Sequence, residues 1–286
     1  MSLCTRRARA GYYWSLCRAR QQFIEFAASS DQANFKMLLL VTETSGKDGF
    51  VGLARAHEPT QKIEIVGEVG LAGGTFSAQL VPQIASLLER HGLRKSEIGA
   101  FIVVSGPGSF TGLRVGLAAI KALAEILRKP IVPVSLLEVL APESRMIAAA
   151  HVSDRKSTLR YAVALDAGRG EAFVGEYELA GAADGSVQAR GESLLTLEAL
   201  SERLDSGGVH WIATPDPAIF DALRGRVPES KKRFIRRNLR RPRTIEVAVT
   251  GWEKLESGQS VSPEQLEANY IRRSDAEIFS KPATGS

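Results

Sequence analysis

Cysteine is nearly absent: the two that occur, Cys4 and Cys17, both fall in the first 36 of 286 residues. A body without thiols can build neither disulfides nor a thiolate metal site, which suits a reducing compartment, and a cytoplasmic location is expected. Histidine is as sparse. His57, His91, His151 and His210 stand apart, with no pair at the spacing of a metal-binding helix, so no metal site and no cofactor are expected. No uninterrupted apolar run nears the roughly 18 residues of a membrane span, which excludes an expected membrane helix.

What the chain does have is the stretch Ser105-Gly106-Pro107-Gly108-Ser109-Phe110-Thr111-Gly112-Leu113-Arg114. The run before it, 100–104, is apolar and rich in β-branched residues, as in a strand buried on both faces. After it, Leu113, Leu117, Ile120, Ala124 and Leu127 recur at helical spacing, and the helix is expected over 111–128, halted before Pro130. Thr111 is the expected N-cap, which places Phe110 and Val115 at the positions of a hydrophobic staple. The loop residues Gly106, Pro107, Gly108, Ser109, Thr111 and Arg114 could present backbone amides to an anion, or serve packing alone. Neither phosphate motif fits: the glycines at 106, 108 and 112 miss GxGxxG by one residue, and no Lys-Ser/Thr follows. Gly112 and Gly116 share a helical face, and a glycine inside a helix costs about 1 kcal/mol against alanine. Close approach of another backbone is expected to offset that cost.

Charge is unevenly spread. The net charge is +5, yet residues 1–36 carry +4 and residues 231–243, KKRFIRRNLRRPR, carry +8, leaving the remainder at −7. The basic strip is a candidate RNA contact through Lys231, Lys232, Arg233, Arg236, Arg237, Arg240 and Arg241, set against the plainer reading of a solvated loop. Residues 1–36 are Arg-rich and lack the apolar core of a secretory signal. They are expected to be a disordered or mis-assigned extension, with Met37 opening the first strand.

From Met37 the pattern predicts strands at 37–43, 50–56 and 62–69, a break at Gly73-Gly74, and a helix at 77–91 with Leu80, Ile84, Leu87 and Leu88 on one face. Strand 100–104, helix 111–128 and strand 131–134 follow. The second half repeats the first at an offset of 123 residues: Asp166 matches Glu43, Glu171 matches Asp48, and Phe173-Val174-Gly175 matches Phe50-Val51-Gly52. Strands at 160–166, near 187–193 and at 209–213, and helices at 197–204, 216–224 and 244–257, complete that half. The order predicts an α/β fold: a duplicated RNase H-like, or actin-like, arrangement with two mixed-sheet subdomains at 37–142 and 143–262, and a C-terminal segment over 263–286.

Catalysis finds weak support. GPGSFTG is not the GxSxG of a serine hydrolase, and no histidine lies near Ser109 in sequence. The paired hairpins Glu43–Lys47 and Asp166–Gly170 are where an actin-like ATPase grips phosphates, which keeps an ATPase or small-molecule kinase as the alternative reading. Such enzymes close the adenine pocket with a late Gly-Gly turn. Here the glycines after 210 are isolated, at 225, 251, 258 and 285.

The segments MLLLVTETSG (37–46), SGPGSFTGLRVGLAAIKALA (105–124), VPVSLLEVLA (132–141), ALDAGRGEAFVGEY (164–177) and ANYIRRSDAEI (268–278) together resemble the TsaB/YeaZ family of bacterial tRNA threonylcarbamoyladenosine biosynthesis proteins. The resemblance covers about residues 37–278. It implies a duplicated actin-like fold with no catalysis of its own, and a heterodimer with TsaD, the metal- and substrate-bearing paralogue. TsaE is the further partner, and the product is threonylcarbamoyladenosine beside the anticodon of ANN-decoding tRNAs. It further implies that helices 77–91 and 111–128 form the TsaD-binding face, expected at Leu80, Ile84, Leu87, Gly112, Leu113, Gly116, Leu117 and Ile120, with self-association of the same face when TsaD is absent. On that expectation Leu117→Glu and Gly116→Leu abolish partner binding and leave the monomer folded. The chain departs from the family pattern at Gly74–Ala78, at Glu43 where Asp is usual, and at Gly168 where Arg is usual.

Overall fold

The computed structural model describes residues 35–57, 62–149, 158–179, 187–236 and 239–272. Nearly the whole of the segment assigned to an extension, and the tail beyond 272, lie outside that range. Strand β1 (Phe35–Glu43) pairs antiparallel with β2 (Gly49–His57), and β2 with β3 (Ile63–Leu71). Helix α1 (Phe76–Arg90) leads to β4 (Ile98–Gly106), parallel to β1, and α2 (Phe110–Leu127) leads to β5 (Ile131–Ser135), parallel to β4. Helix α3 (Leu136–Ala149) closes this half. The second half runs β6 (Leu159–Gly168), β7 (Glu171–Leu179), β8 (Val187–Thr196), α4 (Leu197–Asp205), β9 (Trp211–Ala213), α5 (Pro217–Arg226), β10 (Ile235–Arg236) and α6 (Thr244–Glu256).

The sheets are ordered β3-β2-β1-β4-β5 and β8-β7-β6-β9-β10. The two orders are the same, element for element, as the sequence repeat predicts. The hairpins differ by one position: Glu43 faces Phe50, whereas Asp166 faces Ala172.

Strand alternation sorts the core into layers, because successive side chains leave a strand on opposite faces. Leu38 and Leu40 point toward α1 and α2, where they pack with Leu80, Leu87, Leu117 and Ile120. Leu39 and Val41 point the other way, into a cluster shared with Tyr161, Val163 and Leu165 of the second sheet and with α3 and α6. Ala162 and Ala164 face α4 and α5. The molecule is thus a stack of five layers: helices, sheet, two central helices, sheet, helices.

The central helices are exchanged. Helix α3 follows the first sheet in sequence but packs on β6 and β7, and α6 follows the second sheet but packs across the first. Lys254 Nζ of α6 binds Glu138 Oε2 of α3 at 2.9 Å where the two cross. Helix α3 is an addition to the sequence-based reading, and a subdomain boundary at 142/143 falls inside it, at Pro142. Strand β10 is a second addition. Ile235 lies wholly buried within the basic strip, so that strip is not one solvated loop.

Candidate functional site

The glycine-rich stretch sits where β4 gives way to α2. The expected N-cap is corrected: Ser109, not Thr111, starts the helix, its Oγ accepting from Gly112 N at 3.3 Å. Thr111 is already within the first turn, and the staple expected between Phe110 and Val115 loses its geometry. Ser109 N donates to Ser45 O at 2.7 Å, so the β1–β2 turn and the helix start are bonded to each other.

That turn also explains the glycine pair. A Cβ on Gly112 would overlap the Thr44 carbonyl, and one on Gly116 the Thr44 hydroxyl. The backbone that approaches α2 therefore belongs to this chain. Of the residues expected to bind a partner, Leu80, Ile84, Leu87, Leu113, Leu117 and Ile120 are all buried, with Gly112 and Gly116, inside the monomer. These residues are the inner stripes of α1 and α2.

Each helix carries a second apolar stripe that faces outward. On α1 it is Ala78, Val81, Pro82 and Ala85; on α2 it is Ala118, Ala122 and Ile126, with Val115 and Ala119 half-buried beside them. Val81 is 50% exposed and Ile126 72%. Spacings of three, four and seven residues were present in the sequence for both stripes. The inner stripe carries the larger side chains and therefore the stronger periodic signal.

At the N-terminal end of α2 a cleft of about 1570 Å³ opens between the two hairpins, lined by Lys47, Asp48, Ser109, Arg114, Arg169 and Arg241 among others. The repeat-related acids meet opposite fates there. Glu43 is buried, accepts from Ser45 N and Oγ, and burial pushes its carboxyl above the usual range, against the pull of those bonds and of Arg241. Asp166 is exposed; its Oδ1 accepts from Gly168 N at 2.8 Å, and its own N donates to Asp216 Oδ2 at 2.8 Å. Asp216 is bound in turn by Arg241 Nη2 at 2.6 Å. Among the described residues no three His, Cys, Asp or Glu side chains gather as a metal site would need.

The C-terminal segment, absent from the site expected from sequence, forms a strap over the cleft. Asn269 N donates to Ser105 O at 2.8 Å and its Nδ2 to Glu192 Oε2 at 2.6 Å. Tyr270 packs on Phe110 with the rings tilted and centroids 5.1 Å apart, and its hydroxyl accepts from Arg114 Nε at 3.2 Å. Arg272 reaches Ala167 O and Glu171. Only residues distant in sequence meet here, so no local pattern announces the strap.

The basic strip is partly spent within the chain. Lys232 pairs with Glu229, Arg241 with Asp216 and Arg243 with Glu246, whereas Arg233 and Arg236 lie over the rings of Phe234 and Trp211. Lys231 is half-buried and Arg240 exposed; Arg237 lies outside the described residues.

A family model described as TsaD, tRNA N6-adenosine threonylcarbamoyltransferase, matches residues 70–211. The chain is 31% identical over 142 residues to the tRNA threonylcarbamoyladenosine biosynthesis protein TsaB of Bacillus subtilis, covering 50% of this chain and 56% of that one. It is 33% identical over 105 residues to the Haemophilus influenzae protein of the same description, covering 37% and 42%. The chain thus spans about half the length of the curated relatives it matches. A crystal structure from Pseudomonas aeruginosa, described as an uncharacterized protein with similarity to peptidase YEAZ, superposes with a TM-score of 0.61 at 25% identity, over 83% of this chain and 100% of that one. Relatives in sequence and in solved fold converge, and the chain is similar to proteins of the TsaB/YeaZ family.

Proposed function

We propose that this chain takes part in threonylcarbamoyladenosine biosynthesis on tRNA as a non-catalytic subunit that binds and stabilises a TsaD-type transferase. The relatives' descriptions support the pathway. The observation that carries the mode of action is the outward stripe of α1 and α2, small and apolar, with Val81 and Ile126 exposed. A contiguous apolar patch on a folded surface costs solubility and marks an interaction site. Two helices of 15 and 18 residues present enough surface for the roughly 800 Å² per partner of a standard interface. The same stripe pairs two copies of the chain when the transferase is missing, and TsaE joins the assembled complex.

Val81→Glu and Ile126→Glu place charge on this stripe without touching the core. Both abolish co-purification with TsaD from the same organism and leave thermal unfolding of the isolated chain unchanged. Depletion of the protein lowers the threonylcarbamoyladenosine peak in nucleoside mass spectrometry of bulk tRNA. An undiminished peak refutes the pathway; intact co-purification of both variants refutes the surface. The cleft between the hairpins gives the competing ATPase or kinase reading its one observation. Magnesium-dependent ATP turnover by the isolated chain is the result that would favour it.

A further inference from the structure

The second sheet ends at β10, and the side chains around that open edge are cationic. Arg236 on β10 lies with Cζ 4.8 Å from the Trp211 ring centre, and Arg233 lies 4.7 Å from that of Phe234. The two rings pack edge to face at 6.4 Å, so one aromatic base carries both guanidinium groups. Arg224, from the end of α5, lies 5.3 Å from the Phe220 ring centre. Next to β9, His210 N donates to Arg160 O at 2.8 Å, and Arg160 Nη2 to Gly207 O at 3.0 Å, a neutral acceptor, and among the described residues no carboxylate pairs with it.

His210 reports the resulting field. Burial lowers its pKa, and the charges of Arg160 and Lys231 lower it further. The nearby carboxylates are committed elsewhere: Glu229 to Lys232 at 2.7 Å, and Glu178, opposite Arg160, to Arg190. Two of these cations, Arg160 and Arg224, lie outside the basic strip 231–243.

The geometry points to this edge as a binding surface for the phosphate backbone of RNA, made by Arg160, Arg224, Lys231, Arg233 and Arg236. Arginines predominate, and a guanidinium fork held over a ring loses less freedom on binding a phosphate than a free lysine does. The rings lie beneath the cations, with Trp211 only 3% exposed, so no apolar wedge is offered to a membrane and no aromatic anchor to a protein groove. Lys232, Arg241 and Arg243 are excluded, because each already holds a carboxylate. The inference rests on the proposed function only for which RNA is bound; the surface chemistry is independent of it.

The test is fluorescence anisotropy of the full chain with unmodified tRNA, repeated from about 50 to about 200 mM salt. The wild type should bind with strong salt dependence. Lys231→Glu combined with Arg233→Glu should weaken binding at least tenfold at low salt and flatten the salt slope by about one unit per lost phosphate contact. Lys232→Gln, which removes an already paired charge, should change it less than twofold. Arg233→Gln serves as the neutral variant, and thermal unfolding verifies that each variant is folded. Equal tRNA binding by wild type and the double variant overturns the proposal. Tighter binding to an acidic peptide or to phosphatidylserine vesicles than to RNA overturns it also. The double variant should still co-purify with TsaD, so loss of RNA binding and loss of the transferase contact are read separately.

Discussion

Gly116 is a test of close packing at the level of one atom. Its missing Cβ is where the Thr44 hydroxyl sits, so Gly116→Leu is expected to destabilise the monomer by about 3 kcal/mol or more, read by urea denaturation, and not to act as a clean interface variant. Glu43 offers a second residue-scale prediction. Burial holds its carboxyl above the ordinary 4.5, so the folded chain keeps this proton more tightly than the unfolded chain does. The group therefore favours folding at low pH, and that contribution is lost as pH rises through the raised folded value. Glu43→Gln removes the titration. Its stability relative to wild type should climb as pH rises above about 4.5 and then level off; a difference independent of pH would refute the assignment. The sequence marks Glu43 and Asp166 as a repeat pair and is silent on their contrast. One carboxylate folds back on Ser45 and the other faces solvent, a difference made by register and by Asp216 and Arg241 far along the chain.

Among elements, α2 decides most. With Ser109 as its cap, Ser109→Ala should cost about 1 kcal/mol, whereas Thr111→Ala should stay within about 0.5 kcal/mol. The reverse order would restore Thr111 as the cap. The strap makes a further test at Leu266, buried against the first sheet's outer core: Leu266→Ala should cost about 2–5 kcal/mol and hasten proteolysis of the segment that follows. Long periodic elements were legible in the sequence, α1 and α2 to within a residue at each end. Helix α3 was not, because Pro142 interrupts its pattern and its apolar run continues straight out of β5. Strand β10 has two residues inside a run of cations and is too short to show a period. Which face of α1 and α2 turns outward was not legible for another reason. Both helices are apolar on two sides, and periodicity cannot tell which side meets the sheet.

At the scale of the molecule the exchanged helices matter most. The repeat at 123 residues predicted two copies of one sheet, and the topology has them. It did not predict that each copy would be covered by the other's last helix, because no sequence pattern states which sheet a helix will meet. Unfolding should therefore be a single transition, with calorimetric and van't Hoff enthalpies equal. Residues 35–149 and 158–272 expressed separately should each remain unfolded and regain helical circular dichroism only when mixed. A stable fold in either fragment alone would contradict the shared core.

The exchange also sets an order of events during synthesis. The ribosome releases the first sheet with one face already lined by α1 and α2, while Leu39, Val41, Ile102 and Val104 on its other face wait for α6, more than a hundred residues later. Domains that fold vectorially close behind the growing end; this one stays open until Trp252 arrives, and for that interval its apolar inner face is the kind of surface on which unfinished chains aggregate.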